Sequence, residues 1–164
     1  MEMIRQTAAQ LRRKFGGRSI FETAENSGAN VWFRELGSLK GFYICENGCR
    51  YIIVNQALDD LVAKTVCAHE LGHDMLHREL SAGGMRENTL FLTNNKTERE
   101  ANLFAAEMLV TDREALSVLE YAPDTEQAAY ELGVMPEILQ YKLEMLNEAG
   151  YSFNVSGTAS DFLK

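Results

Sequence analysis

The stretch Cys67-Ala-His-Glu-Leu-Gly-His-Asp-Met-Leu-His77 holds all three histidines of this 164-residue chain. They stand at positions 69, 73 and 77, a strict spacing of four. An α-helix turns ~100° and rises ~1.5 Å per residue. His69 and His73 therefore share one face about a turn apart, and their imidazole nitrogens can converge on a single ion at ~2.0–2.1 Å each. Glu70 is offset around the same helix but still faces that side, within reach of a water on such an ion without being a ligand. The segment from Leu58 to about Glu79 is helical by pattern, and apolar Leu61, Val62 and Val66 are expected to bury its back.

His69-Glu70-Leu71-Gly72-His73 matches HExxH, the pattern of zinc peptidases. The plainer alternative is a core helix with two satisfied histidines, which leaves the glutamate on their face without a reason. Gly72 costs ~1 kcal/mol relative to alanine in a helix interior, and a glycine at that cost points to close approach by another backbone. On a continuing helix His77 lies ~12 Å along the axis from His69, too far for one ion. It reads instead as a partner of a ligand, an exposed residue or a substrate-side group. The third ligand is expected from a following helix, Thr97–Val110. Glu98 and Asn102 share a face there, with Leu103, Phe104 and Leu109 on the other side. Glu98 would supply a carboxylate, and Asn102 could hydrogen-bond a ligand histidine, a partner such histidines need to fix their tautomer. Glu100 competes with Glu98 for the ligand role. It lies ~200° around the helix from Glu98, so both cannot face one ion.

Outward from this segment the chain alternates clear signals. Ile4, Ala8, Leu11 and Phe15 recur at helical spacing over residues 2–15, and Gly16-Gly17 ends that run. Ser19 and Glu22 open a second short helix as a capping box. Three strands follow at Val31–Arg34, Gly41–Cys45 and Arg50–Val54. Asn47-Gly48 joins the last two, since both turn positions need positive φ. That register sets Glu46 opposite Cys49 and Cys45 opposite Arg50, so Cys45 and Cys49 are diagonal and unsuited to a disulfide. With Cys67 they read as free thiols of a reducing compartment. The Arg50–Asn55 strand is a candidate edge for an extended substrate. Residues 81–95 read as a loop. Thr111 and Glu114 form a second capping box, and residues 126–147 read as helix, tight turn, helix.

The domain plan that results is a core over residues 1–115, C-terminal helices over 116–150 and a frayed tail over 151–164. A hydrophobic fraction of 46% supports a packed core. The formal net charge of -8 argues against phosphate-backbone binding as the main activity. No apolar leader and no run of ~18 apolar residues are present, so a cytoplasmic location without a membrane span is expected.

These motifs together resemble the ImmA/IrrE family of metallopeptidases over most of residues 20–147. The resemblance is carried by Glu35–Tyr43 (ELGSLKGFY), Val54-Asn55, Ala68–His73 with Leu76-His77, Glu98–Glu107 (EREANLFAAE) and Leu132–Leu143 (LGVMPEILQYKL). HExxH is moderately specific; a downstream ExxANxFAA at this distance is highly specific. The resemblance implies an α+β, zincin-like core with a small antiparallel sheet, an HExxH helix, a glutamate helix and a helical C-terminal part resembling a helix-turn-helix. It implies Zn2+ held by His69, His73 and Glu98, which favours Glu98 over Glu100, and Glu70 as catalytic base. The sequence departs from the family at Thr111, where proline is common, and at none of the proposed ligands.

The expected activity is zinc-dependent endopeptidase action on a helix-turn-helix repressor, which derepresses mobile-element or stress genes in family members known by activity. Two other readings stand beside it: a metal-containing module that displaces a repressor without cutting it, and the toxin or partner half of a two-gene regulatory pair. Direct nucleic-acid binding is not expected, because residues 126–147 carry Glu126, Glu131, Glu137 and Glu144 against one lysine, Lys142. For an oxyanion stabiliser the candidates are Tyr43, Tyr51 and His77, each with a plainer structural reading.

Overall fold

The computed structural model describes residues 1–17, 19–81, 95–122 and 124–153. In chain order the elements are α1 (Glu2–Phe15), α2 (Ile20–Asn26), β1 (Asn30–Arg34), β2 (Gly41–Glu46), β3 (Cys49–Asn55), α3 (Asp60–Leu76), α4 (Arg78–Ser81), α5 (Asn95–Leu109), α6 (Asp112–Leu119), α7 (Thr125–Leu132) and α8 (Pro136–Glu148). The class is α+β. The loop expected over 81–95 and the tail beyond Phe153 lie almost wholly outside the described residues.

Local chemistry explains the element boundaries. Ser19 caps α2 by accepting from the Glu22 N–H at 3.1 Å. Asp59 caps α3 by accepting from the Val62 N–H at 2.9 Å. At α6 the capping box is complete: the Glu114 N–H donates to Thr111 Oγ1 at 3.2 Å, and the Thr111 N–H donates to Glu114 Oε2 at 2.9 Å. Asn47 and Gly48 adopt φ of 52° and 79°, the left-handed pair the hairpin requires.

The sheet differs from the expected antiparallel one. Its order is β1-β3-β2, with β2 antiparallel and β1 parallel to β3. The hairpin register matches the expectation, with Cys45 opposite Arg50 and Glu46 opposite Cys49. β3 takes the centre because Ile52, Ile53 and Val54 form an unbroken apolar run, 0, 7 and 0% exposed, that needs cover on both faces. β1, with Trp32 and Phe33 exposed, suits an edge. The connection from β1 to β2 is pinned by Asn55, whose side-chain amide donates to the carbonyls of Gly37 at 3.0 Å and Leu39 at 2.8 Å. A central β3 cannot accept an added strand, so the expectation that Arg50–Asn55 offers a substrate edge is corrected. The edges are β1 and β2.

α3 packs on β2 and β3 on one side and against α5 on the other. A Cβ at Gly41 would collide with Val66 and the Ile53 carbonyl, so β2 runs hard against α3. The back of α3 is buried by Ala63, Val66, Cys67, Ala68 and Leu71, whereas Leu61 is exposed. Fully buried Asp74 ties this helix to the sheet. It accepts from the Tyr43 hydroxyl at 2.8 Å, the Arg50 guanidinium at 2.7 Å and Arg78 Nε at 3.1 Å. Burial and the adjacent Asp74 push the Tyr43 pKa well above its ordinary value.

α5 is the central helix, with Ala101, Phe104, Ala105 and Ala106 fully buried. α1 and α8 flank it. One apolar cluster takes in α1, the sheet, α3, α5 and the C-terminal helices through Ile138, Leu139, Met145 and Leu146. Asn147 ties down the chain after α8, bonding the Phe153 N–H at 2.7 Å and its carbonyl at 2.8 Å. No helix among the described residues is long and apolar enough to cross a membrane.

Candidate metal centre

α3 and α5 bring His69, His73 and Glu98 together. Their donor atoms all lie within 4.8 Å of one another, and no other group of three or more such residues meets this condition among the described residues. His69 Nε2 and His73 Nε2 are 3.1 Å apart. His69 Nε2 stands 3.4 Å from Glu98 Oε2, and His73 Nε2 stands 3.4 Å from Glu98 Oε1. Three donors on a tetrahedron of radius ~2.0–2.1 Å are separated by about 3.3 Å, so this triangle has the size a small tetrahedral cation needs.

The donor chemistry fits as well. His69 Nδ1 is 2.7 Å from Asn102 Oδ1, an acceptor only, so the ring proton belongs on Nδ1 and the Nε2 lone pair faces inward. Two inward lone pairs beside a carboxylate repel one another unless a cation or a proton sits among them. Asn102, 5% exposed, is held by a bond from its Nδ2 to the Tyr141 hydroxyl at 3.2 Å. Tyr141 comes from α8, too far along the chain for periodicity to pair it with the site.

Glu70 is half-buried on α3 beside these groups. Burial, the largest influence, lowers the His73 pKa, but the bond to Glu98 and the charges of Glu70 and Glu98 outweigh it and leave the value raised above 6.5. Bonds to His69 and His73 hold the Glu98 carboxyl well below its ordinary 4.5. Glu100 does not join the triangle. Its Oε2 lies 2.9 Å from His77 Nε2 instead. Tyr43 is engaged with Asp74, and Tyr51 lies against Trp32 with ring centroids 4.8 Å apart.

In the ion-free protein this pairing defines a stability window. The folded Glu98 value is depressed, so its contribution is complete above 4.5 and is lost as pH falls through the lowered value. The folded His73 value is raised, so its contribution is complete below 6.5 and is lost as pH rises through the raised value. Chelator-treated wild type should therefore exceed Glu98→Gln in melting temperature most clearly between pH 4.5 and 6.5. A difference that keeps growing above neutral pH would contradict this.

Gly72 meets α5 as its helix-breaking cost suggests. A Cβ there would stand 3.1 Å from Ala101 Cα, 3.2 Å from Ala101 O and 3.3 Å from Phe104 Cδ1. Gly72→Ala gains ~1 kcal/mol of helix propensity but must push α5 outward, and overpacking costs about 1–3 kcal/mol. The variant should melt lower than wild type and bind divalent cations more weakly, because Ala101 lies beside Asn102 and three residues from Glu98. Calorimetry and chelator competition measure the two effects.

Comparison with known proteins gives the family. Residues 24–144 match the peptidase family described as IrrE N-terminal-like domain. A phage protein named uncharacterized immunity region protein 2, from Bacillus phage phi105, is 35% identical over 111 residues, which cover 67% of this chain and 70% of that protein. Metallopeptidase ImmA of Bacillus subtilis strain 168 is 28% identical over 148 residues, 86% of each chain. The chain thus has the build of a metallopeptidase of the ImmA type, and it belongs to the IrrE N-terminal-like family.

Proposed function

We propose that this protein is a zinc-dependent endopeptidase and that its substrate is a helix-turn-helix repressor. The observation that carries the reading is the meeting of His69, His73 and Glu98 at tetrahedral spacing with Glu70 alongside. These three residues would hold the ion; two imidazoles and one carboxylate suit zinc and leave a position open. When bound, such an ion lowers the pKa of a water toward ~7 and polarises the scissile carbonyl.

This chain's own residues do the rest. Glu70 accepts the proton of the attacking water and delivers it to the departing amine nitrogen. Asn102 keeps the His69 proton on Nδ1. β2 pairs only with β3 among the described strands and runs against α3, so an extended peptide would add to its free edge. The relatives' names support the substrate class: one refers to an immunity region, the other to a metallopeptidase. Resemblance to family members that act on helix-turn-helix repressors points the same way. The C-terminal helices offer little to a phosphate backbone, since the single lysine of residues 126–147, Lys142, is fully buried.

The test is incubation of the zinc-loaded protein with candidate repressors, with and without chelator, read by mass spectrometry. Discrete fragments that vanish with chelator are expected. A stable complex with intact repressor under both conditions would instead favour a module that displaces its partner without cutting it.

A further inference from the structure

The third histidine of the opening stretch stands where α3 ends. His77 is the C-cap of that helix, at φ -128° and ψ 19°, and its N–H still bonds the His73 carbonyl at 2.9 Å. Its ring is 9% exposed. Nδ1 of His77 lies 3.3 Å from Nδ1 of His73, and Nε2 of His77 lies 2.9 Å from Glu100 Oε2. The other oxygen of Glu100 is 3.8 Å from Lys96 Nζ.

We infer that His77 and Glu100 are positioning residues for His73, fixing the rotation and tautomer that turn its Nε2 toward the ion. This rests on the metal-centre reading above. A histidine that ligates through Nε2 carries its proton on Nδ1 and needs an acceptor there. His69 finds one in Asn102. What His73 Nδ1 meets is another imidazole nitrogen.

With His73 Nε2 reserved for the ion and its proton therefore on Nδ1, one proton arrangement satisfies the chain of contacts. Glu100 is a carboxylate, so it accepts from a proton on His77 Nε2. The remaining ring nitrogen of His77, Nδ1, then has to present a lone pair. That lone pair accepts the Nδ1 proton of His73 and leaves His73 Nε2 bare for the cation. The opposite arrangement aims a lone pair of His77 at the Glu100 carboxylate and puts the His73 proton on Nε2, where ligation needs a lone pair. Glu100 thus selects the tautomer of a ligand two rings away. The same geometry gives Glu98 and Glu100 separate tasks, one on the triangle and one behind it.

The test is zinc affinity by chelator competition, together with the visible spectrum of the cobalt-loaded protein. Both are measured on wild type, His77→Phe, His77→Asn, Glu100→Leu and His73→Ala, and melting curves confirm folding. Loss of such an outer partner lowers affinity about 10–100-fold. His77→Phe should fall in that range and shift the cobalt bands. His77→Asn sets an amide oxygen near the place of Nδ1 and should recover most of the loss. Glu100→Leu, at a partly exposed position, should lose up to about tenfold.

Affinity and spectrum unchanged in His77→Phe and Glu100→Leu, with wild type binding normally, would overturn the relay. Equal losses in His77→Phe and His77→Asn would also overturn it, because the ring would then act by packing alone. If wild type binds no divalent cation, or His73→Ala binds as tightly as wild type, the metal-centre reading itself falls.

Discussion

Glu70→Gln should cost about 10²–10⁴-fold in kcat/KM on a cleaved repressor while leaving zinc affinity within a few-fold of wild type. Glutamine matches glutamate in size, so the half-buried site on α3 is refilled without a cavity. What it loses is the ability to accept a proton. Glu70 is not one of the converging donors, so the triangle of His69, His73 and Glu98 keeps its three atoms. Removing the Glu70 charge weakens the hold on a proton at His73 and on a cation alike, so the change in net affinity is small. Activity and affinity therefore separate: activity falls and affinity holds. Steady-state kinetics and zinc stoichiometry on the same preparation separate them. Cleavage at more than a tenth of the wild-type rate with a full complement of zinc would remove Glu70 from the role of base.

The convergence of the two helices is legible in the sequence because each half of it is a local pattern. A spacing of four places His69 beside His73, and the same spacing places Glu98 beside Asn102. Gly72 marks the crossing point, and the backbone of Ala101 is what it makes room for. Hairpin and caps are equally local, and Asn47-Gly48, Ser19 and Thr111 behave as their chemistry requires. The direction of β1 is another matter. Its partner lies beyond an intervening strand, and an apolar pattern carries no sign of parallel or antiparallel pairing. Glu100 likewise stands in the sequence only as a competitor of Glu98 for the ligand role, and its partner shows only when α5 is laid across the end of α3 and His77 comes within 2.9 Å. Lys142 is the extreme case. As the single lysine of an acidic segment it looks like a surface residue, yet it is 0% exposed, because its partners arrive from α5 and the start of α6.

That buried cation carries the largest stability effect expected in the protein. Lys142 Nζ lies 2.7 Å from Glu107 Oε2 and 2.5 Å from Asp112 Oδ1. Glu107 also bonds Arg12 at 3.2 Å, with Arg5 at 3.6 Å, while Arg5 reaches Asp112 at 2.9 Å. Removing one member of a buried pair leaves a charge without compensation and costs about 3–5 kcal/mol. Glu107→Leu strands Lys142 with only Asp112, whose side chain is 43% exposed and shares its charge with Arg5. The loss should reach that range, or roughly 10 °C in melting temperature for a domain of this size. Lys142→Met should cost less, because Glu107 keeps both arginines and methionine fills the apolar channel. The double variant Glu107→Leu/Lys142→Met should recover much of the loss, since an apolar pair of similar volume often replaces a buried ion pair without penalty. A double-mutant cycle would then give a coupling of about 2–3 kcal/mol. Simple additivity would mean that the charges do not act together. Zinc affinity is the internal control: Glu107 lies nine residues along α5 from Glu98, so the recovered double variant should bind the ion as wild type does. Weaker binding in that variant would mean that the ion network also sets the position of the ligand end of α5.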